Sequence, residues 1–267
     1  MKLTHKLAGT VLLAALAVAA TGPATKAADP NKPGVGEGEI EFTSKTYETY
    51  DTSGVVPPNT DSQSTRDTDS TALLDGEFLV QGMSKLVFNS QAATTGSVAS
   101  WAKPTTANPT TAADHVPSRA NWVQFKDDRQ TDDHTYELTA KITKNFQFND
   151  TAKNKVRNIT GAEITYGNPI LVADKENESL KPGSTGIKTA VVNESTPAAV
   201  FTNTDGKEAQ GSKGRGRYAV YFGDIDNPAK KAEESIKLDI PSNQAQEIMN
   251  GKYVAEITWT LAETPLP

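Results

Sequence analysis

The sequence of 267 residues contains no cysteine, only three histidines and three methionines, and few aromatic residues (7%). The lack of cysteine excludes disulfides, thiolate-bound zinc, iron–sulfur clusters and a cysteine nucleophile. Basic residues are outnumbered, with 27 Lys and Arg against 33 Asp and Glu. This balance argues against nucleic acid as a partner, because binding to phosphate backbones depends on clustered Lys and Arg. The fold must rest on its hydrophobic core alone.

Long apolar runs are also missing, apart from one near the N-terminus. Lys2 and Lys6 precede the apolar run 7–20, and a segment of small residues ending at Ala27 follows it. The run has about 14 residues, whereas a membrane-spanning helix needs roughly 20. We therefore predict that residues 1–27 are a cleaved signal peptide and that the mature chain has no transmembrane segment. Those residues contain three lysines and no acid, so the mature chain carries 24 basic and 33 acidic side chains.

We expect no covalent wall anchor at the C-terminal end. Residues 262–267 form neither an apolar tail nor a sortase-type sorting sequence. Export without cysteine fits a Gram-positive secretory route, since disulfides are permitted but not required outside the cytoplasm. We therefore expect a secreted protein that is held at the cell wall or cell surface by non-covalent contacts.

What the sequence does contain is alternation of polar and apolar residues, the period of a half-buried strand. The predicted inward faces are those of Val123 and Phe125; Tyr136, Leu138, Ala140 and Ile142; Ala162, Ile164 and Tyr166; Tyr218, Val220 and Phe222; Ile236, Leu238 and Ile240; and Tyr253, Ala255, Ile257, Trp259 and Leu261. Strands with one buried and one solvent-exposed face are typical of antiparallel sheets. We predict an all-β fold, an antiparallel sandwich or Greek-key-like barrel of about eight to eleven strands, with little helix.

The mature segment 28–267 is predicted to form one such domain. Residues 28–38 are rich in Pro, Gly and Asp and are interpreted as a solvated lead-in. Two long polar loops are predicted at about 44–70 and 91–119, where apolar periodicity is lost. Between them, the short apolar runs 76–80 and 85–88 predict a strand pair joined by a Gly-containing turn.

The last predicted strand carries a recognisable ending, Tyr253-x4-Thr258-Trp259-x-Leu261. In a secreted acidic β protein, this ending resembles the WxL-domain cell-surface proteins of low-GC Gram-positive bacteria. Other segments agree with the family in order, namely 76–80, 86–88, 123–129, 159–164, 211–218 and 236–241. The resemblance covers the chain from about Glu39 to its end. It departs at one place, because the family usually carries a first W-x-L in mid-chain and this sequence has Tyr136-Glu137-Leu138 there.

The resemblance implies a non-enzymatic surface protein bound non-covalently to peptidoglycan or an associated wall polymer. It further implies a multiprotein surface complex with a membrane-anchored partner, acting in adhesion or polymer capture. The implied wall- or partner-binding motif consists of Tyr253, Thr258, Trp259 and Leu261, with Tyr136 and Leu138 as the diverged first motif.

Physically, W-x-L places two large apolar side chains on the same side of a strand. The stripe formed by Tyr253, Ala255, Ile257, Trp259 and Leu261 fits two interpretations. It is either core packing, in which a buried indole supplies a large apolar surface, or a partly exposed surface for stacking or docking. In the first interpretation the motif serves attachment only through the fold.

Two charged segments are candidate ligand sites. Lys213, Arg215 and Arg217 alternate with glycines, so the loop is a candidate anion-binding loop, the alternative being a soluble hairpin loop. The acidic stretch 127–134 has the ligand types for a cation but lacks the EF-hand spacing and its glycine. A solvated acidic turn is the preferred interpretation, and we predict no metal and no cofactor.

Catalytic motifs are scarce. In the mature chain, neither His115 nor His134 lies near a Gly-x-Ser-x-Gly elbow or an H-E-x-x-H pair. We therefore predict that the protein is not an enzyme. Two alternatives stay open: a subunit that docks a protein partner and is retained at the wall indirectly, and a secreted polysaccharide-degrading enzyme. The enzyme would need two acids within about 10 Å of each other.

Overall fold

The computed structural model describes residues 34–43, 76–92, 94, 96–106, 118–173, 175–207 and 212–264. Most of these residues lie in β-strands, and their α-helical content is the single turn α1, Ser242–Ala245. The predicted all-β fold with little helix is confirmed. Within the described ranges, no helix is long and apolar enough to cross a membrane. The predicted signal peptide, residues 1–27, and the predicted loop 44–70 lie outside them.

Sheet A is the largest sheet and contains the strand with the W-x-L motif. Its seven strands are β1 (Gly34–Thr43), β3 (Leu86–Val87), β4 (Gln91–Ala92), β9 (Tyr136–Asp150), β10 (Lys155–Ile159), β14 (Ala198–Asn203) and β17 (Gly251–Glu263). The strand order is β10-β9-β17-β1-β3, with β14 beside β9 and β4 beside β1. The pairs are antiparallel, except that β3 and β4 run parallel to β1.

Two four-stranded antiparallel sheets and a short ribbon complete the described fold. Sheet B has the order β13-β11-β16-β5, with β5 (Val98–Trp101), β11 (Glu163–Tyr166), β13 (Ala190–Val192) and β16 (Ile236–Ile240). Sheet C has the order β12-β15-β8-β2, with β2 (Phe78–Met83), β8 (Asn121–Asp127), β12 (Pro169–Ala173) and β15 (Gly216–Phe222). The ribbon consists of β6 (Thr105–Thr106) and β7 (Ser118–Arg119).

The core is continuous across the three sheets. The residues assigned to inward faces from the alternation are buried, and they join one cluster of apolar side chains. Sheet A contributes Trp259 and Tyr136 to this cluster, while Tyr166 comes from sheet B and Phe125 from sheet C. Such burial is the dominant favourable contribution to folding, which matters here because no disulfide is available.

The interpretation of residues 28–38 as a solvated lead-in is wrong for its last five residues. Strand β1 begins at Gly34, and its glycines face the core opposite the motif strand, with Gly34 beside Trp259, Gly36 beside Ile257 and Gly38 beside Ala255. A Cβ atom built on Gly36 would lie 2.5 Å from Sδ of Met83, and one on Gly34 would lie 2.8 Å from its Cε. The glycines are therefore required by close packing rather than by chain flexibility.

We expect Gly36→Val to lower the free energy of unfolding by about 1–3 kcal/mol, the usual effect of overpacking a core. Met83 must move to admit the new side chain, which then displaces its neighbours. Gly96→Ala is the matched control, because its Cβ would meet only the Thr94 hydroxyl at 3.9 Å. Urea denaturation of both variants measures the difference. Equal stability of the two would show that β1 packs less closely than described.

Two further expectations need correction. The runs 76–80 and 85–88 do not pair with each other: β2 continues to Met83 and pairs with β8, whereas β3 pairs with β1. The stretch 91–119 is not one loop, because it contains β4, β5, β6 and β7. Its middle, 107–117, lies outside the described residues. In both cases the strand partners are distant in the chain, so local periodicity did not reveal them.

Candidate functional site

The strand with the W-x-L motif lies inside sheet A, between β9 and β1. Tyr253, Ala255, Ile257, Trp259 and Leu261 face the interior, and none of them is more than 3% exposed. The core interpretation of this stripe is therefore the arrangement observed. A surface ligand does not reach the motif's apolar side chains across the sheet in this arrangement.

The Trp259 indole lies where all three sheets meet. Its ring packs edge-on against Tyr166 of sheet B at a centroid distance of 5.3 Å, and it lies 6.1 Å from Phe222 of sheet C. Tyr166 and Phe222 are themselves 4.8 Å apart. These three rings are called the aromatic triad below. The neighbours of Trp259 on the adjacent strands are small, Ala140 on β9 and Gly34 on β1, which leaves room for the indole.

A crevice of about 250 Å³, solvent mouth included, lies beside the aromatic triad. It is lined by the triad together with Met83, Trp122 and Glu37. Glu37 is exposed and Trp122 is half-buried, whereas the indole of Trp259 is 3% exposed. The crevice therefore opens beside the motif tryptophan without exposing its ring.

The diverged first motif lies directly beside the second. Leu138 on β9 is the cross-strand partner of Leu261, and Tyr136 is the partner of Glu263. The structure thus brings the two motifs, which are far apart in the chain, onto neighbouring strands. Direct cross-strand neighbours are the pairs that stabilise a sheet most.

The packing of Tyr136 shows the role of an aromatic residue in the first motif. It is fully buried, and its ring packs against Phe78, Phe125 and Phe201 at centroid distances of 6.1, 5.8 and 6.1 Å. Its hydroxyl donates a 3.0 Å hydrogen bond to the carbonyl oxygen of Gly214. Burial raises the pKa of Tyr136 well above its usual value, so the phenol stays protonated and remains a donor.

The candidate anion-binding loop, residues 212–217, accepts the hydrogen bond from Tyr136 through the carbonyl of Gly214. Further hydrogen bonds from side chains inside the protein hold it in place. The carbonyl of Lys213 accepts from Asn203 Nδ2 at 2.9 Å, and that of Arg215 accepts from the Tyr218 hydroxyl at 2.8 Å. The φ angles of +108° at Gly214 and +117° at Gly216 are of the kind that favours glycine. The loop is therefore a shaped element that is tied to β9 through Tyr136 and to β14 through Asn203.

The three cations of this loop are not equivalent. Lys213 Nζ donates to the carbonyl of Ser179 at 2.6 Å, whereas Arg215 and Arg217 are exposed. The amides that a backbone anion nest would use are engaged within the protein. Those of residues 213, 214 and 217 donate to Asp205 O, Leu180 O and Asn177 Oδ1 respectively. Anion binding by this loop stays a prediction, and it would have to rest on the two exposed guanidinium groups.

The acidic stretch 127–134 contains a buried charge cluster rather than a solvated turn. Asp127 is fully buried, and its carboxylate accepts from Arg129 Nε at 2.8 Å and Arg129 Nη2 at 2.7 Å. Its second oxygen also faces His134 Nδ1 at 3.0 Å. The stretch was interpreted as a solvated turn because four carboxylates are adjacent in the sequence. Burial of Asp127 follows from the guanidinium that folds back on it.

Arg129 links this cluster to the end of the motif strand. Its guanidinium lies over the Phe78 ring, 3.9 Å from the centroid, and its Nη1 pairs with Glu263 on β17. The side chain of Arg129 is 15% exposed and that of Glu263 is 68% exposed. Arg129 therefore fixes the last residues of the W-x-L strand to the turn that follows β8. The signal that could have revealed it is the Asp-x-Arg spacing, which suits a local bidentate pair.

Two further acids of the stretch, Asp133 and Asp128, are engaged locally. Asp133 Oδ1 accepts from the backbone and hydroxyl of Thr135 at 2.7 and 2.6 Å, and these hydrogen bonds lower the pKa of Asp133. Asp128 pairs with Lys126 at 2.9 Å. Across the part of the chain that the structure describes, no group of three or more His, Asp or Glu residues is arranged to hold a metal ion.

The outward side of the motif strand is polar. Thr258 alternates with the buried residues and exchanges a 2.8 Å hydrogen bond with Thr143 on β9. Glu39 on β1 pairs with Lys252 at 2.6 Å and Lys85 at 3.2 Å. Burial acts to raise the pKa of Glu39, but the two lysines together outweigh it and the pKa is lowered. Among the predicted motif residues, Thr258 is thus the one on the outer face.

A family model described as the WxL domain, surface cell wall-binding, matches residues 30–265. This chain belongs to the WxL-domain family. No curated protein and no solved structure matches it significantly. The WxL match spans sheets A, B and C and is not confined to the strand with the terminal motif. The resemblance inferred from the sequence is confirmed, and the WxL domain is a cell-surface domain that binds the cell wall.

Proposed function

We propose that this WxL protein is secreted, is not an enzyme, and attaches non-covalently to peptidoglycan or an associated wall polymer through the outer surfaces of its sheets. The observation that carries the proposal is the burial of the motif inside a fold that the wall-binding family model covers almost completely. Because Trp259 and Leu261 lie in the core, we infer that the motif serves attachment by holding the sheets together. The wall contact then lies on other side chains.

The disposition of buried acids supports a binding role. Asp127 and Asp150 are the buried carboxylates among the described residues, and each pairs with an arginine, Arg129 and Arg157 respectively. A retaining or inverting glycosidase needs two carboxyl groups flanking a substrate cleft, one of them able to protonate a leaving group. Carboxylates engaged with guanidinium groups in the interior do not offer that chemistry.

We expect the mature chain, starting near Ala28, to cosediment with purified Gram-positive walls, and high salt to weaken but not abolish the binding. Screening shortens electrostatic interactions to about 3 Å at 1 M salt, so a contact made by shape and aromatic stacking persists. The acidic net charge also opposes simple ionic adsorption to anionic walls. Sedimentation with and without walls, at low and high salt, measures this.

The wall preparation needs two controls. Walls stripped of protein test direct attachment, and recovery of the chain in the supernatant with such walls would refute it and favour retention through a partner. Release of soluble reducing sugars from the walls would instead identify the chain as a polysaccharide-degrading enzyme.

We further propose that attachment takes place within a multiprotein surface complex with a membrane-anchored partner, in adhesion or polymer capture.

The outer face of sheet C favours partner docking as the second candidate function. Trp122, Tyr221 and Ile170 lie in register across β8, β15 and β12 and are half-buried rather than enclosed, and Val172 beside them is 40% exposed. Aromatic residues on an outer face are typical of protein interfaces. A pull-down with candidate partner ectodomains, in the absence of walls, tests this.

A further inference from the structure

The outer face of sheet B carries an indole that the core does not use. Trp101 on β5 is 37% exposed, whereas its neighbours Val98 and Ser100 point inward and are buried. Its ring has no aromatic or cation–π partner among the residues that the structure describes. More than one third of this side chain is open to solvent on an ordered strand, so the indole offers a surface on which a ligand can stack.

Trp101 begins a row of side chains that crosses the whole sheet. The cross-strand register aligns Trp101 with Lys237, Lys237 with Thr165, and Thr165 with Val191. Neighbouring strands are about 4.8 Å apart, so the row is about 14 Å long. Val191 at its far end is 46% exposed. The row thus has an aromatic end, a polar middle and an apolar end, all facing solvent.

A second row lies beside the first on the same face. Asp239 on β16 is in register with Ala99 on β5 and with Glu163 on β11. Asp239 also pairs with Lys237 of the first row at 2.8 Å, with both side chains more than one third exposed. The face therefore presents a flat ring next to fixed hydrogen-bonding groups of both kinds, donors and acceptors.

The chemistry of this face matches an uncharged sugar chain better than other wall components. One face of a pyranose ring presents C–H groups that stack on an indole, while its hydroxyls exchange hydrogen bonds with carboxylates, ammonium groups and threonines. The charges of Lys237, Asp239 and Glu163 leave the face slightly acidic, which disfavours a polyphosphate. The first row is about 14 Å long, and the second, which crosses three strands, is about 10 Å long. The area of the two rows is therefore on the order of 100 Å², far below the roughly 800 Å² per partner of a standard protein interface.

We propose that the outer face of sheet B binds the glycan strands of the wall, with a pyranose ring stacked on Trp101. Lys237, Asp239, Glu163 and Thr165 bind the sugar hydroxyls, and Val191 packs against the far end of the chain. The proposal rests on the proposed wall attachment, since the wall supplies this glycan, and it names the ligand and the surface that the family match leaves undefined.

The test uses the mature chain and two soluble glycan probes. The first is an uncharged oligosaccharide of β-1,4-linked N-acetylglucosamine, and the second is glycan released from purified walls by an amidase, which leaves a free carboxylate on every second sugar and should bind less tightly to the slightly acidic face. We expect saturable binding in calorimetric titration and a change in tryptophan fluorescence. Trp101→Ala should weaken binding about tenfold or more, the scale of lost ring stacking on an aromatic platform. Trp101→Phe, which keeps a smaller ring, should lose less.

Two valines provide a matched control. Val191→Ala lies on the row and should weaken binding measurably, whereas Val156→Ala on β10 of sheet A, which is also exposed, should not. All four variants alter exposed side chains, so their melting temperatures should equal that of the parent chain. Equal affinity of Trp101→Ala and the parent chain for glycan would overturn the proposal, as would binding of free stem peptides instead of glycan.

Failure of the Trp101 glycan site can be distinguished from failure of the proposed wall attachment. A parent chain that sediments with walls but does not bind soluble glycan refutes the Trp101 site and leaves wall attachment standing. A parent chain that binds glycan through Trp101 but does not sediment with walls supports the site and refutes the wall attachment.

Discussion

Trp259→Ala is expected to lower the free energy of unfolding by about 3–5 kcal/mol, the usual cost of removing a large aromatic residue from a core. The indole is shared by three sheets, so the cavity would lie where Tyr166 and Phe222 meet and cannot be closed by movement of one sheet. For a domain of this size, the melting temperature should fall by about 6–20 °C. Thermal and urea unfolding measure both quantities.

Two substitutions make the comparison specific. Trp101→Ala is the same change at an exposed position, and Thr258→Ala alters the outward neighbour of Trp259, which exchanges one hydrogen bond with Thr143. Both should change the stability by less than about 1 kcal/mol. Leu261→Ala, with its side chain 1% exposed, should behave like Trp259→Ala.

Wall binding by Trp259→Ala should fall only to the extent that the protein unfolds. A stabilising osmolyte such as sucrose strengthens burial of apolar surface and should restore folding and sedimentation together. A variant that melts at the parent temperature but no longer binds walls would contradict this expectation. Such a result would place a ligand in the crevice beside the aromatic triad.

The apolar faces of the strands were predictable because period-two alternation is a local property of the chain. Tyr218, Val220 and Phe222 illustrate this: each was assigned inward from the sequence and each is at most 1% exposed. The same alternation placed Trp259 and Leu261 on one face. It did not decide whether that face was core or docking surface, since that depends on which sheets cover it.

Strand β1 shows where hydropathy fails as a guide. Gly34 and Gly36 have no side chain to alternate, and the segment was interpreted as solvated. Their role becomes visible only in the folded sheet. Because these residues have no Cβ, the Met83 side chain packs directly against β1, which pairs with β17. Small residues opposite a large motif residue indicate close strand packing only when the pairing register of β1 and β17 is known. That register joins residues more than 200 positions apart in the chain.

The Asp127 cluster was missed for a related reason. In the sequence, Asp127 is one of four neighbouring aspartates, and charge runs are usually solvated. In the structure Asp127 lies on the inward side of β8, because it follows Val123 and Phe125 at even spacing. Its burial becomes tolerable because Arg129 and His134 both reach its carboxylate, contacts that alternation does not describe.

Arg129→Ala is expected to lower the free energy of unfolding by about 3–5 kcal/mol, the range for leaving one buried charge without its partner. The Asp127 carboxylate, fully buried, would lose two charge-assisted hydrogen bonds from the Arg129 side chain. It would keep the contact to His134 and the 3.2 Å hydrogen bond from the backbone amide of residue 129. The stacking of the guanidinium on Phe78 and the pair with Glu263 would also be lost. Urea denaturation measures the loss.

Lys144→Ala is the matched control for this substitution, because it removes a cation whose pair with Glu256 is about half exposed on both sides. Exposed pairs contribute about 0–1 kcal/mol, so the control should be close to the parent chain. Arg129→Lys should fall between the two, since an ammonium group keeps the charge but not the bidentate geometry. If Arg129→Ala were no less stable than Lys144→Ala, the Asp127 carboxylate would have to be reached by water. The end of the W-x-L strand would then be held by the core alone.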